Sequence, residues 1–293
     1  VSGRPVLTVL VPGPQTLVQD LGRPGHAALG VPPSGALDAP ALRAANRLVG
    51  NRLGAPALEV LLGGLRVRAS ARCTVAVTGA AVPLHVGGRP VPWGAPVDLD
   101  AGDVLAVGRA TGGVRCYLAV RGGLDVPPLF GSASTDLLSG LGPAPVRAGD
   151  ELATGDLVDG DPGPLPGLRP AEPAAAGTPA VLQVGPGPRR ELFDDEAWAA
   201  LTGAAWTVTP DSNRVGLRLA GPSLHRTSGP AELPSEGLVT GAVQIPPSGQ
   251  PVLFLADHPT TGGYPVLAVL ARAALPVAGQ LRPGAVVRFA GQG

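Results

Sequence analysis

The chain contains no lysine; all 22 of its basic residues are arginine. That absence excludes a lysine Schiff base, a P-loop lysine and a biotinylated lysine on this polypeptide, so any such group must come from another chain. Aromatic residues are scarce at 3%, which leaves Val, Leu and Ala to build the core. There are two cysteines, Cys73 and Cys116, opening the alternating runs CTVAVTG and CYLAVRG. Such positions suit buried free thiols in strands better than a disulfide or a nucleophile. The 22 basic residues are balanced by 22 acidic ones; no basic field exists to hold a phosphate backbone, and nucleic acid is not an expected partner. No apolar run approaches the roughly 20 residues of a membrane span. The VLTVLV run near the start stops at Pro12, too short for a secretory signal. The expectation is a soluble cytoplasmic protein. Walker A, G-x-S-x-G and HExxH patterns are missing, and His26, His85, His225 and His258 are scattered. No metal site is expected.

What the chain does have is turn chemistry. Its 44 glycines and 35 prolines lie between short β-branched runs, the pattern of many strands joined by many turns. TVAVTG, VLAVG, CYLAV and VVRF alternate with period two. Two helices stand out. In DAPALRAANRLVG, Asp38 is the expected N-cap and Gly50 the stop. In RRELFDDEAWAALTG, Phe193, Ala197 and Leu201 fall on one face. Helices and strands do not alternate as βαβ units, so compact β-barrels fit better than a doubly wound sheet.

A length of 293 residues favours two domains. The stretch GDPGPLPGLRPAEPAAAGTP reads as a linker over 160–179, between an N-terminal β-rich lobe, 1–159, and a C-terminal barrel lobe, 180–293. Short echoes run in the same order through both halves: VLTVLVPGP with AVLQVGPGP, GVPPSG with QIPPSG, AGDVLAV with PGAVVRF.

Three stretches could carry chemistry. In QDLGRPG and GVPPSGALD, glycines allow a close backbone approach and Arg23 is a fork donor for a carboxylate or phosphate, with Ser34 and Asp38 adding polar contacts; a turn in which Asp20 pairs with Arg23 is the alternative. In DSNRVGLRLAGP, Arg214 and Arg218 would share one face of a strand. In the following LPSEGLVTGAVQIPPSGQP, Glu236 on a tight turn could act as a general base, or could pair with an arginine. In DHPTTGGYP, the backbone N–H groups of Thr260 to Gly263 could form an anion nest, Asp257 could orient a nucleophile or cap the loop, and His258 could titrate near neutrality. An Asx-type turn is the alternative there.

TLVQDLGRPG, GVPPSGALD, ANRLVGN with ALEV, LAVRGGLDVP, GSASTDL, SNRVGLRLAGP, SEGLVTGAVQIPPSGQP and DHPTTGGYP follow one another in this order. As an ordered set they resemble the family of 5-oxoprolinase C subunits. That family is also called the biotin-dependent carboxyltransferase family or allophanate hydrolase subunit 2, and is similar to part of the carboxyltransferase region of urea amidolyase. The resemblance runs from about Val6 to Phe289. It implies a mainly β fold with a few helices, in two β-rich lobes with a cyclophilin-like β-barrel. It implies an enzyme of hydrolase type, active as part of a complex. Together with its partner A and B subunits, the B one being its sister, it would open 5-oxo-L-proline to L-glutamate. ATP is then the cofactor, bound here or on a partner. In the carboxyltransferase setting, biotin would ride on a separate carrier and urea or a similar amide would accept the carboxyl group. A regulatory, non-catalytic role toward the sister protein is the third possibility.

On the motif positions, the resemblance raises Gln19, Asp20, Arg23, Ser34, Asp38, Ser212, Asn213, Arg214, Gln244, Ser248, Gly262, Gly263 and Tyr264 as substrate-binding candidates, and Glu236, Asp257, Thr260 and Thr261 as catalytic ones. Arg23 or Arg214 would clamp a carboxylate, the Thr261–Gly262–Gly263 backbone would face an oxyanion, and Glu236 would be the base. The chain departs from the family pattern at His258 and Pro259, where the usual residues are arginine and glutamine, at Ala274, where an acid is usual, and in the shortened GPAPVR stretch, 142–147.

Overall fold

The computed structural model describes residues 5–171, 178–227 and 233–291. Residues 172–177 of the expected linker therefore lie outside the described residues. The chain divides into two compact units.

The first unit takes its described residues from 1–23, 38–135 and 140–172. Its six-stranded sheet runs, in spatial order, Glu151–Ala153, Pro5–Pro12, Leu65–Ala69, Val104–Val107, Leu84–Val86 and Arg89–Val91. Its five-stranded sheet runs Gln15–Gln19, Ala57–Leu61, Gly112–Val120, Cys73–Ala81 and Val97–Leu99. Alternation decides which face goes inward. In Leu65–Ala69 the Leu, Val and Ala are buried while Arg66 and Arg68 are exposed. Val9, Val67 and Leu105 of one sheet share a core with Val60, Val77 and Leu118 of the other. Helix α1, Ala39–Leu48, begins at Asp38, whose side chain accepts from Ala41 N at 3.0 Å. It ends before Gly50, whose φ of +72° is open to glycine at little cost. Cys73 and Cys116 are free thiols in strands.

The second unit holds a closed barrel in the order Ala180–Pro186, Val266–Leu270, Ala242–Gln244, Val252–Phe254, Gly216–Ala220, Trp206–Val208 and Val286–Gly291. Its core gathers Trp206, Leu182, Val243, Leu253, Leu267 and Phe289. Helix α2, Asp195–Gly203, is capped by Asp194 and buries Ala197 and Leu201, the face read from the sequence. A short helix α3, Leu275–Gly279, follows the strand at Val266–Leu270.

Two stretches from early in the sequence, 24–37 and 136–139, also belong to the second unit. Backbone and side-chain bonds explain why: Ser34 N donates to Ala256 O at 3.0 Å, and Leu137 N donates to Asp257 Oδ2 at 3.2 Å.

Register fixes the two ends of the barrel. Gln244 lies opposite both Val266 and Val252, and Val252 opposite Arg218. Phe254 lies opposite Gly216 at the other end. The strands Val252–Phe254 and Val266–Leu270 both run antiparallel to the strand Ala242–Gln244, so they run the same way. Their connection must travel the length of the barrel. That connection is the DHPTTGGYP segment. It leaves at the Phe254 end and returns at the Gln244 end, pairing midway with Glu236–Gly237 through Thr261–Gly262.

Candidate functional site

At the Gln244 end of the barrel is a cavity of about 240 Å³. Its apolar walls come from Phe193, Leu224 and Ile245 and from the rings of Pro246, Pro247 and Pro265, while His225, Arg226 and Tyr264 supply the polar groups. The walls are tied to one another. Ile245 N donates to Pro265 O at 2.9 Å, and the buried Gln244 donates through Nε2 to Tyr264 O at 2.8 Å. Leu224 N donates to Gly249 O at 3.0 Å, and Thr227 N to Leu192 O at 3.0 Å. Gly249 has φ +73° and no room for a Cβ beside Ser223 and Leu224, so the PPSG turn can press against that wall only as glycine. At Gly262 an added Cβ would lie 2.8 Å from Gln244 Nε2, so a larger residue would push the amide off Tyr264.

The opposite end carries a buried ion pair. Arg214 and Asp257 are 1% and 0% exposed and bond twice, Nε to Oδ2 and Nη2 to Oδ1, each at 2.9 Å. Asp257 also accepts from Ser34 Oγ at 2.9 Å and from Leu137 N. Arg214 Nη2 also donates to Gly35 O at 2.8 Å. Ser34 holds a φ of +50°, uncommon for a residue with a side chain, and this conformation accompanies its bond to Asp257. Beside the pair, His258 Nδ1 is 2.7 Å from Pro259 O, so Nδ1 carries the proton and donates to that carbonyl. Burial pushes the imidazole below its ordinary range, against the pull of Asp136 and Asp257. Asp136 accepts from Leu138 N and Ser139 N through Oδ1, while its buried Oδ2 has no partner.

In the first unit, Gln19, Asp20 and Arg23 hold the segment 129–135. Asp20 accepts from Ser132 Oγ at 2.5 Å, Ser134 Oγ at 2.6 Å, Ala133 N at 2.7 Å and Gly22 N at 2.7 Å. Arg23 donates to the carbonyls of Ser134 and Leu129, and Gln19 Nε2 to Thr135 O at 2.8 Å. Gln19 Oε1 and Arg23 Nη1 are buried without partners. Asp38 caps α1 and its N–H donates to Tyr117 Oη at 2.8 Å; Tyr117 in turn donates to Glu59, which Arg115 approaches at 3.3 Å.

The site residues read from the sequence thus fall into separate groups. Gln244 and Tyr264 meet at the cavity end, Ser34, Arg214 and Asp257 at the opposite end, and Gln19, Asp20 and Arg23 in the first unit. Several expected roles change. Arg214 and Arg218 do not share a strand face: Arg214 precedes the strand and is buried, Arg218 is exposed within it. Arg214 is committed to Asp257 and Gly35, which leaves it poorly placed as a carboxylate clamp, and Asp257 is spent in the same pair rather than orienting a nucleophile. Glu236 does not sit on a free turn. Both its oxygens accept from Arg189, Oε2 from Nε at 3.0 Å and Oε1 from Nη2, and this holds its carboxyl below the usual range, so it is a weak base. The anion nest does not form: Thr261–Gly262 is extended, the carbonyl of Thr260 accepts from Leu238 N, and neither Gly262 nor Gly263 has a positive φ.

Ser212, Asn213 and Ser248 serve turns. Arg218 N donates to Ser212 Oγ at 3.0 Å, Val215 N to Asn213 Oδ1 at 2.8 Å, and Ser223 Oγ to Ser248 O at 3.3 Å. Reading the sequence missed Arg189, Phe193, His225, Arg226 and Asp136. The one available signal was GPGPRR after the first barrel strand, a sharp turn followed by adjacent arginines. Among the described residues, no group of three or more His, Cys, Asp and Glu gathers as for a metal ion, and no helix is long and apolar enough to cross a membrane.

A mainly β chain whose second unit closes into a seven-stranded barrel belongs to the class of barrel-containing β proteins. The chain belongs to the family described as carboxyltransferase domain, subdomain A and B, whose profile matches residues 29–291. It is 39% identical over 289 residues to the C subunit of 5-oxoprolinase from Escherichia coli (strain K12), an alignment covering 97% of this chain and 90% of that protein. It is also similar to the crystal structure of TTHA0988, with a TM-score of 0.86 at 39% identity over 98% of this chain and 55% of that one. Its TM-score against the crystal structure of the K. lactis urea amidolyase is 0.88 at 31% identity, over 99% of this chain and 19% of that one. The chain therefore spans about half of one solved relative and about a fifth of the other.

Proposed function

We propose that this chain belongs to an ATP-dependent hydrolase that opens the cyclic amide of 5-oxo-L-proline to L-glutamate in the cytoplasm, in a complex with partner A and B subunits. The observation that carries this reading is the 39% identity to a C subunit of 5-oxoprolinase across almost the full length of both chains. The chemistry explains why a complex is needed. A lactam is a resonance-stabilised amide and resists water, so ring opening needs the carbonyl activated and the developing charge stabilised by fixed donors. A cavity of about 240 Å³ with one guanidinium is too small and too weakly charged for a nucleoside triphosphate, and the chain has no lysine to reach a γ-phosphate. In this reading a partner subunit binds the nucleotide, and this chain binds and orients the small amide.

The experiment is glutamate release from 5-oxo-L-proline and ATP by purified A and B subunits, with and without this chain. Release only in its presence supports the reading; equal release without it makes this chain a regulator. The similarity to the K. lactis urea amidolyase, together with the family's description, favours a second reading. In it, a carboxyl group passes from biotin on a separate carrier to urea or a similar amide. That reaction would require bicarbonate and would be blocked by avidin, whereas lactam opening would be indifferent to both.

A further inference from the structure

The first unit also holds a cavity, of about 330 Å³. One wall is the end of α1 and the turn after it, from Arg47 to Leu53; the other is the segment 159–164, where the stretch expected to be a linker begins. That segment is not loose. Asp159 N and Gly160 N both donate to Gly50 O, at 2.9 and 3.1 Å, and Gly163 N donates to Leu48 O at 3.0 Å. Arg121 Nη1 donates to the carbonyls of Val49 and Gly160, each at 2.9 Å, and ties the two walls together. At Gly50 an added Cβ would collide with Gly160 O, so only glycine lets the walls approach. The buried Asn51 is engaged as well: its Oδ1 accepts from Gly122 N and its Nδ2 donates to Val120 O, each at 2.8 Å. Walls held in this way lose little conformational freedom when a guest binds.

What the walls leave open is charge of both signs. Arg47 is exposed in the last turn of α1, and Asp159 and Asp161 are exposed on the other wall. Among the described residues no hydrogen bond or ion pair engages the side chain of Arg47 or of Asp159, and Asp161 reaches only Arg121, at 3.8 Å. With Arg121 counted, the positive and negative charges balance. An anion would meet two carboxylates, and a cation two guanidinium groups; a small molecule that carries both charges finds a partner for each. A divalent metal ion is a poor match, because the lining offers Asp159 and Asp161 and no further carboxylate. Leu53, 45% exposed, and the Pro164 ring add an apolar contact beside the charges. We propose that this cavity binds a free α-amino acid with a small aliphatic side chain, its carboxylate toward Arg47, its ammonium toward Asp159 and Asp161, and its side chain against Leu53 and Pro164. An acidic side chain would bring a further negative charge to the two aspartates and is disfavoured. The assignment does not depend on the hydrolase reading.

The test titrates L-valine, N-acetyl-L-valine and L-valinamide into the full chain and reads binding by ligand-observed NMR. N-acetylation removes the ammonium, and amidation removes the carboxylate. L-Valine should bind about threefold to fivefold more tightly than either blocked form, the worth of one solvent-screened ion pair. Arg47→Gln should erase the advantage of L-valine over L-valinamide, and Asp159→Asn with Asp161→Asn should erase its advantage over N-acetyl-L-valine. These side chains are exposed, so both variants should melt as the wild type does. If one does not, the comparison of the three ligands on the wild type carries the test. No binding of L-valine, equal binding of the three ligands, or a preference left unchanged by either variant overturns the assignment. Calcium that displaces L-valine overturns it too, since the aspartates would then be ligands of an ion.

Discussion

The buried pair of Arg214 and Asp257 lends itself to a quantitative test. Asp257 is fully buried and accepts two bonds from Arg214, one from Ser34 Oγ and one from Leu137 N. Asp257→Asn keeps the shape, removes the charge and turns an NH₂ toward a guanidinium that is 1% exposed. An uncompensated buried charge costs about 3–5 kcal/mol. For a unit of this size that is a drop in melting temperature of roughly 10–20 °C. Replacing the whole pair by Arg214→Met with Asp257→Leu removes both charges, and such swaps are often close to neutral. Here Ser34 Oγ, Leu137 N and Gly35 O would also lose a partner, at about 1 kcal/mol each. The double variant should therefore still be less stable than the wild type, by about 3 kcal/mol, yet more stable than Asp257→Asn by up to about 2 kcal/mol. Urea unfolding followed by tryptophan fluorescence in a Trp93→Phe background isolates the barrel unit, because Trp198 and Trp206 belong to it and Trp93 packs in the other core. A loss below about 1 kcal/mol in Asp257→Asn, or a double variant as damaged as the sum of both single variants, would refute the argument that the pair acts as one neutral buried unit.

His258 is held neutral by burial, with its folded pKa below the unfolded value. The unfolded chain then binds the proton more readily, so the stability this residue supports is present above the unfolded value of about 6.5 and is lost progressively as pH falls from there through the lower folded pKa. Asp136, Asp257 and Arg214 share its surroundings, and His258→Gln should flatten the decline in melting temperature between about pH 7 and pH 5. The thiols should be inert in the folded protein, since burial pushes Cys116 up to about 12 and Cys73, helped by Asp98, up to about 11. A thiol reagent near neutral pH should label both only after unfolding, and rapid labelling of the native chain contradicts this. Glu236→Gln should leave turnover of the assembled complex within a fewfold of wild type, because Arg189 occupies both carboxylate oxygens and its hydrogen bonds hold the carboxyl below the usual range, which makes it a weak base. A pH–rate profile that loses its acidic limb in this variant would restore Glu236 as the base.

Much of the fold could be read from local patterns. The runs at Cys73, Val104, Cys116 and Val286 all lie in strands, although Gly112–Val120, which holds Cys116, is buried on both faces rather than on one. Asp38 and Gly50 bounded α1 as capping chemistry requires. Long-range pairing was out of reach. Nothing local in GVPPSG tells that Ser34 will bond Asp257, 223 residues away. The candidate residues were mostly buried and bonded, as polar residues in glycine-rich motifs often are, but type and spacing could not separate a residue that binds a ligand from one that holds a loop. Asp20 has the second role, gripping Ser132, Ala133 and Ser134. Arg226 escaped notice because a lone arginine in LHRTSGP has no periodic or motif partner to mark it.

The barrel closes by the parallel pairing of Ala180–Pro186 with Val286–Gly291, the first and last strands of the seven. On a ribosome, the strand that emerges first must wait about a hundred residues for its neighbour. Until then the partial barrel is an open sheet with two unsatisfied edges, each able to recruit a strand from another chain. Completion is a single late event that removes both hazards at once. A nascent chain stalled before Val286 should therefore be far more dependent on a holdase, and far more prone to cross-pairing, than one from which Val286–Gly291 has emerged.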